Sequence, residues 1–71
     1  MGRHIFYMLI NTVQEKRKAQ KLTQEELANA IGVTRQTIIS IEKGNYLPSI
    51  LLAIKLAVTL QVSVEDLFML K

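Results

Sequence analysis

Apolar residues near the middle of the chain recur at helical spacing, and turn residues separate the segments that carry them. The stretch Thr23-Gln24-Glu25-Glu26 is a capping box, in which the threonine hydroxyl accepts from the Glu26 amide while the Glu26 carboxylate reaches back. Leu27, Ala28 and Ile31 follow at helical spacing. The pattern predicts a helix that begins after Thr23 and ends near Gly32.

A second helix follows after a tight turn of about three residues. Thr34 is placed as its N-cap, and Gly44 is placed to take the left-handed conformation that ends many helices. Upstream of both, residues 11–20 are predicted to form another helix, whose apolar stripe is thin.

Two more helices are predicted downstream. Ser49 opens a strongly apolar helix that runs to about Leu60. Ser63 opens a last short helix, whose first turn holds Glu65 and Asp66 where the helix dipole favours carboxylates. The chain is therefore expected to be all-α, a compact bundle of five helices.

The two ends of the chain have a different pattern. The run Ile5–Ile10 combines aromatic and aliphatic residues, and Leu67–Leu70 is a second short apolar run after the last helix. Both fit short strands that pair with each other in an antiparallel sheet, and the alternative is an irregular N-terminus. We expect one domain over residues 1–71, in which residues 1–10 form an extension or a strand.

The helix after Thr34 has an outward face without a carboxylate. At about 100° per residue, Thr37, Ile38 and Ile41 gather on one side. The opposite side carries Arg35, Gln36, Ile39, Ser40 and Lys43. Arginine can bond to guanine O6 and N7, and glutamine to adenine N6 and N7, whereas an acid here would lie against phosphate. Residues 23–44 therefore have the pattern of a DNA-binding helix-turn-helix motif.

Composition and charge agree with this prediction. Nine Lys and Arg residues outnumber six Asp and Glu residues, which is compatible with nucleic acid as a partner. Hydrophobic residues make up 49% of a chain of 71, a high share that indicates burial of some apolar surface by association.

Several other classes of protein are disfavoured. The chain has no cysteine and one histidine, and it shows no nucleophile–base pair, phosphate loop or metal-ligand spacing. The apolar stretch 50–60 is too short to span a bilayer. We therefore expect no enzymatic activity, no cofactor, no metal site and no membrane partner, and a cytoplasmic, nucleoid-associated location.

Five segments together resemble the helix-turn-helix of the phage repressor and Cro family, also called xenobiotic-response-element-like. They are LTQEELA at 22–28, GVTRQTI at 32–38, IEKG at 41–44, YLPS at 46–49 and VSVEDLF at 62–68. The segments also resemble the short stand-alone members of the family, which are homodimeric transcriptional regulators and most often repressors. It implies binding to a pseudo-palindromic operator in double-stranded DNA. No small-molecule ligand is predicted.

The resemblance also implies roles for individual residues. Gln24 would bond to a phosphate at the start of the first motif helix. The base-reading and adjacent positions are Thr34, Arg35, Gln36 and Ser40, and the sugar-phosphate contacts are Lys43, Asn45 and Tyr46. Arg17 matches an arginine that pairs with a glutamate at Glu42, so this pair is expected to be structural.

The chain departs from the family pattern at a few positions. Lys16 replaces an aliphatic core residue, Lys21 a glycine, and Ile39 a small polar residue. Leu51 and Val58 stand where polar residues are common, and they contribute to a candidate dimer interface formed by Leu51, Val58, Phe68 and Leu70.

Two alternatives keep the same fold. The first is an antitoxin or a restriction-modification control protein with the same mode of DNA binding. The second is a protein-interaction module that does not bind DNA.

Overall fold

The computed structural model describes residues 9–71, which form five helices and a small sheet. In chain order the elements are β1 (Leu9–Asn11), α1 (Val13–Ala19), α2 (Gln24–Ile31), α3 (Arg35–Glu42), α4 (Ile50–Leu60), α5 (Val64–Leu67) and β2 (Phe68–Leu70). The predicted five-helix fold with a terminal two-stranded sheet is confirmed. Residues 5–8 of the predicted first strand lie outside the described residues.

Four of the helices begin at a hydroxyl residue that caps the first turn. In each case the hydroxyl accepts from the backbone amide three residues later, and the capping residues are Thr23, Thr34, Ser49 and Ser63. The capping box predicted at Thr23 is complete, because the Glu26 carboxylate accepts from the Thr23 amide at 2.8 Å. These caps place the helix starts where the sequence predicted them.

The first helix is shorter than predicted. The pattern suggested residues 11–20, whereas α1 spans Val13–Ala19, because Asn11 belongs to β1 and Thr12 is the N-cap. Its buried side consists of Val13 and Arg17, which explains the thin apolar stripe in the sequence.

Each of the four turns between helices contains a residue with a left-handed backbone, and these residues are Lys21, Gly32, Gly44 and Gln61. Gly44 follows α3 with a φ of +80°, as predicted for a residue just beyond a helix end. A Cβ built there would meet nothing within 4 Å, so the backbone angle and not the available space favours glycine. Lys21, between α1 and α2, has a φ of +59° although it is not glycine. The turn therefore keeps the conformation that a glycine would adopt most easily.

The helices pack around one hydrophobic core. In the part of the chain that the structure describes, the buried apolar residues are Val13, Leu27, Ala28, Ile31, Ile38, Ile41, Leu52, Leu56, Ala57, Leu60 and Leu67. They come from all five helices, so no helix is an appendage. Among residues 9–71, no helix is long and apolar enough to cross a membrane.

The antiparallel sheet joins the two ends of the described chain. Leu9 pairs with Leu70, Ile10 with Met69 and Asn11 with Phe68. The ladder continues past the strands, because the Thr12 amide donates to the Leu67 carbonyl at 2.9 Å. This pairing carries the chain from β1 into α1 alongside the C-terminal end of α5.

Candidate nucleic-acid interface

Helix α3 is held so that its polar side faces away from the core. Ile38 and Ile41 are fully buried with the apolar residues of α2. At its start, the Thr34 hydroxyl accepts from the Thr37 amide at 3.2 Å, and the two hydroxyl oxygens lie 3.1 Å apart. The tight turn from α2 is closed by the Val33 amide, which donates to the Ala28 carbonyl at 3.0 Å.

The predicted base-reading residues lie together on the outward side of α3. Arg35 and Gln36 are exposed, and Ser40 is half-buried between them and the end of the helix. Within residues 9–71, none of these three side chains has a hydrogen-bond partner, and no carboxylate pairs with Arg35. Their donors and acceptors are therefore available to an external partner.

One open depression of about 360 Å³ lies along this face. It is lined by Thr34, Gln36, Thr37, Ser40, Asn45 and Tyr46. All of these residues carry neutral hydrogen-bonding groups, the kind that can face base edges and sugars. The structure thus brings Asn45 and Tyr46 next to the base-reading positions.

Thr37 lines this depression although its helical position placed it with the core side of α3. It is half-buried, and its hydroxyl is directed to the Thr34 hydroxyl and not into the core. The helical position of Thr37 did not predict its place in the depression, because its contact with the Thr34 hydroxyl depends on the conformation of the chain before α3.

A second depression, of about 480 Å³, lies beside Arg35 and shares no lining residue with the first. It is lined by Arg17, Thr23, Gln24, Glu25 and Arg35. The exposed Arg35 side chain therefore lies beside the start of α2, where free backbone amides favour anions. Lys43 is exposed at the other end of α3.

A buried ion pair fixes the inner side of this interface. Arg17 Nε donates to Glu42 Oε2 at 2.7 Å and its Nη2 donates to Oε1 at 3.2 Å. The two side chains are only 8% and 4% exposed. Arg17 Nη1 also donates to the Leu22 carbonyl at 2.9 Å. Buried charges need this degree of pairing, and the contacts tie α1 to the last turn of α3 and to the chain that leads into α2.

Gln24 takes part in the same network. Its Nε2 donates to Glu42 Oε1 at 3.1 Å, a contact that the sequence did not indicate. An amide group has two N–H donors, so one hydrogen remains for the predicted phosphate contact. Within residues 9–71, no buried side-chain nitrogen or oxygen is left without a hydrogen-bond partner.

The exposed side of α4 is apolar, in contrast to that of α3. Ile50, Leu51, Ile54 and Val58 share this side, and the preceding Leu47 is also exposed. We call these five residues the α4 apolar face. Val58 is 72% exposed and Ile50 is 81% exposed. The residues at 50, 54 and 58 repeat every four positions, which marks a single helix face.

The four predicted dimer-interface residues differ in exposure. Leu51, Val58 and Leu70 are exposed, whereas Phe68 is half-buried and packs against the core. Ile50 and Ile54 were missed, because apolar residues occur on both sides of α4 and the pattern does not show which side faces the core. Leu47, in the loop before α4, was also missed.

The model of the helix-turn-helix family matches residues 13–67. The chain belongs to the helix-turn-helix family, and the resemblance to its phage repressor and Cro branch is confirmed. This match includes every element of the structure from α1 to the end of α5.

Similar proteins occur in archaea and bacteria. An uncharacterised helix-turn-helix transcriptional regulator of Methanothermobacter thermautotrophicus is 54% identical over 59 residues, covering 82% of this chain and 86% of the relative. The uncharacterised regulator YgzD of Bacillus subtilis is 46% identical over 61 residues, covering 86% of this chain and 92% of the relative.

Among solved structures, the chain is similar to the restriction-modification controller protein C.AhdI from Aeromonas hydrophila. The TM-score is 0.71 at 31% sequence identity, and the match covers 76% of this chain and 82% of the controller. The similarity extends over most of both chains, so it concerns the whole helical domain and not the helix-turn-helix alone.

Proposed function

We propose that this protein is a transcriptional regulator that binds double-stranded DNA sequence-specifically as a homodimer. The observation that carries the proposal is the outward side of α3. This side presents Arg35, Gln36 and Ser40 without intramolecular partners in residues 9–71 and without any carboxylate.

In this proposal α3 enters the major groove. Arg35 and Gln36 have the donor and acceptor patterns that read guanine and adenine, and Ser40 contacts a neighbouring base edge. Thr34 lies at the entry of the helix. Gln24, Lys43, Asn45 and Tyr46 hold the sugar-phosphate backbone on either side and fix the register of the helix in the groove.

The homodimer is supported by the α4 apolar face. A contiguous apolar surface on a helix usually marks a site of association, and here Ile50 and Val58 are mostly exposed. A second copy of the chain with the same face would cover both, as an isologous twofold contact does. Leu70, at the end of β2, extends the proposed interface together with Leu51.

The twofold symmetry makes a geometric prediction for the operator. Two copies of α3 would enter successive major grooves about 34–36 Å apart, so the half-sites would be centred about 10 base pairs apart. The action we propose is repression, in which the bound dimer blocks access to a promoter. The proposed function implies a cytoplasmic, nucleoid-associated location.

Selection of bound duplexes from a random pool tests this function. We expect enrichment of a pseudo-palindrome with the spacing given above. Enrichment of a single half-site would contradict the dimer, and a lack of enrichment together with no salt-sensitive affinity would favour an interaction module without DNA binding.

A second candidate is a restriction-modification control protein. It is favoured by the similarity to C.AhdI, which is a restriction-modification controller protein. A methyltransferase gene beside the coding sequence would support this candidate, and a toxin gene there would support an antitoxin. DNA binding by α3 is common to the proposed repressor, the control protein and the antitoxin.

A further inference from the structure

Asn11 connects three elements through one side chain. It is the last residue of β1, and its Oδ1 accepts from the Val13 amide at the start of α1 at 3.4 Å. Its Nδ2 donates to the Ile41 carbonyl in the last turn of α3 at 3.1 Å. This second bond is partly buried and joins residues 30 positions apart in the sequence.

The acceptor lies where the helix passes into the loop that is proposed to contact phosphates. The Ile41 carbonyl also accepts from the Gly44 amide at 2.9 Å, and the Ser40 carbonyl accepts from the Asn45 amide at 2.9 Å. A carbonyl oxygen has two lone pairs, so the Ile41 carbonyl can accept from both the Asn11 side chain and the Gly44 amide. Asn11 thereby fixes the backbone from which Lys43 and Asn45 project.

Glu42, the next residue of α3 after Ile41, is also held by the N-terminal part of the described chain. Glu42 is bonded to Arg17 of α1, so consecutive residues of the last turn are anchored to the N-terminal part of the described chain. Arg17 holds a side chain, whereas Asn11 holds the backbone. The distinction matters because the backbone direction sets where the following loop goes.

We infer that Asn11 is a positioning residue for DNA binding, which acts through Ile41 to orient the end of α3 and the loop 43–46. The inference rests on the function proposed above for α3. Hydrogen bonds to phosphate oxygens require a heavy-atom separation of about 2.7–2.9 Å, so a small shift of the loop removes them. Loss of the Asn11 anchor should therefore weaken the phosphate contacts before it affects base reading.

The test compares Asn11→Ser with Thr12→Val. Serine keeps an oxygen that can cap α1 but is too short to donate to the Ile41 carbonyl. The control removes the bond from Thr12 Oγ1 to the Asp66 carbonyl, 2.6 Å long, which links the same region to α5 and does not involve α3. Asn11→Asp is a second variant, isosteric with the native residue and without the donor when ionised.

The first readout is affinity for duplex DNA of mixed sequence, titrated with salt, since phosphate contacts are sequence-independent. We expect Asn11→Ser and Asn11→Asp to lower the affinity by roughly tenfold and the slope of log K against log salt by about one unit. Thr12→Val should keep the native slope at a temperature where all the variants are folded.

The second readout is amide hydrogen exchange without DNA. The amides of Gly44 and Asn45 should exchange roughly tenfold faster in both Asn11 variants than in the native protein and in Thr12→Val. Equal exchange and equal slopes in the folded variants would overturn the role of Asn11, as would identical losses in Thr12→Val. Native protein without any salt-sensitive DNA affinity would overturn the proposed function as well, so the two failures are distinguishable.

Discussion

Helices α3 and α4 both have one side in the core and one side exposed, but their exposed sides have opposite chemistry. The exposed side of α3 has two cations, Arg35 and Lys43, and polar groups that make no hydrogen bond within residues 9–71. That of α4 is the apolar face, with Lys55 as its single charge. Within residues 9–71 neither surface is covered by another part of the chain, and their chemistry differs: the exposed side of α3 suits a polar, anionic partner and that of α4 an apolar one.

The two helices are also anchored differently on their inner sides. Leu52, Leu56 and Leu60 hold α4 by apolar packing. In α3, Ile38 and Ile41 are supplemented by the buried ion pair of Glu42 with Arg17. The directional hydrogen bonds of the ion pair fix the orientation of α3 as well as its distance from the core. This suits a helix that must match the spacing of a DNA groove.

The largest effect is expected from breaking the polar anchor of α3. Glu42→Ala leaves Arg17 buried without a counter-charge and should lower the free energy of unfolding by about 3–5 kcal/mol. Chemical denaturation measures this value. The exposed acid Glu25 provides the control, since Glu25→Ala removes only a helix-dipole contribution of about 0.3–1 kcal/mol. A loss for Glu42→Ala no larger than the control would mean that the ion pair contributes little.

The second effect concerns the α4 apolar face. Val58→Lys removes the free energy of burying a valine side chain, about 1.5 kcal/mol or more, from each copy. The dimer dissociation constant should therefore rise by about a hundredfold. Sedimentation equilibrium measures the shift, and Gln14→Lys on α1 adds the same charge at an exposed position. Unchanged association in Val58→Lys would exclude this face as the interface.

The third prediction separates the functions along α3. Arg35→Ala should reduce discrimination at one base pair of the selected operator by about 1–3 kcal/mol. Lys43→Ala should instead weaken binding to all sequences alike and lower the salt slope by about one unit. Competition with single-base operator variants measures the first effect and salt titration the second. If both variants changed the same quantity, the division of the surface into reading and backbone contacts would be wrong.

The smallest effect is expected in the turn between α1 and α2. Lys21 has a left-handed backbone, which costs about 1–2 kcal/mol for a residue with a Cβ. Lys21→Gly should raise the free energy of unfolding by a net ~0.5–1 kcal/mol, since glycine loses more chain entropy on folding. Gln61 has the same φ of +59°, so Gln61→Gly should give a similar gain. Thermal unfolding of the two variants checks this, and destabilisation in both would show that the native side chains offset the strain.

The sequence predicted the features that depend on local chemistry. The caps at Thr23 and Ser49 start helices through hydroxyls and amides three residues apart, so the pattern alone reveals them. Gly44 was predictable for the same reason. The Arg17–Glu42 pair was found only through the resemblance to a family, because 25 residues separate its members in the sequence.

Features that depend on three-dimensional packing were not predictable in this way. The bond from Gln24 to Glu42 and the bond from Asn11 to Ile41 require the relative placement of separate helices and strands. The core side of α4 was ambiguous because both of its sides are apolar. Only the position of the helix against α2 and α5 shows that Leu56 is buried and Ile54 is exposed.

The terminal sheet has a consequence for the synthesis of the protein. Leu9 pairs with Leu70, so the two strands cannot meet until almost the whole described chain has left the ribosome. The contacts of α2 with α3 are local and can form earlier. A nascent or truncated chain would thus contain the helix-turn-helix before β1 is fixed in place. The pairing of β1 with β2 joins residues as far apart as Leu9 and Leu70 and is therefore expected to be among the last contacts to form.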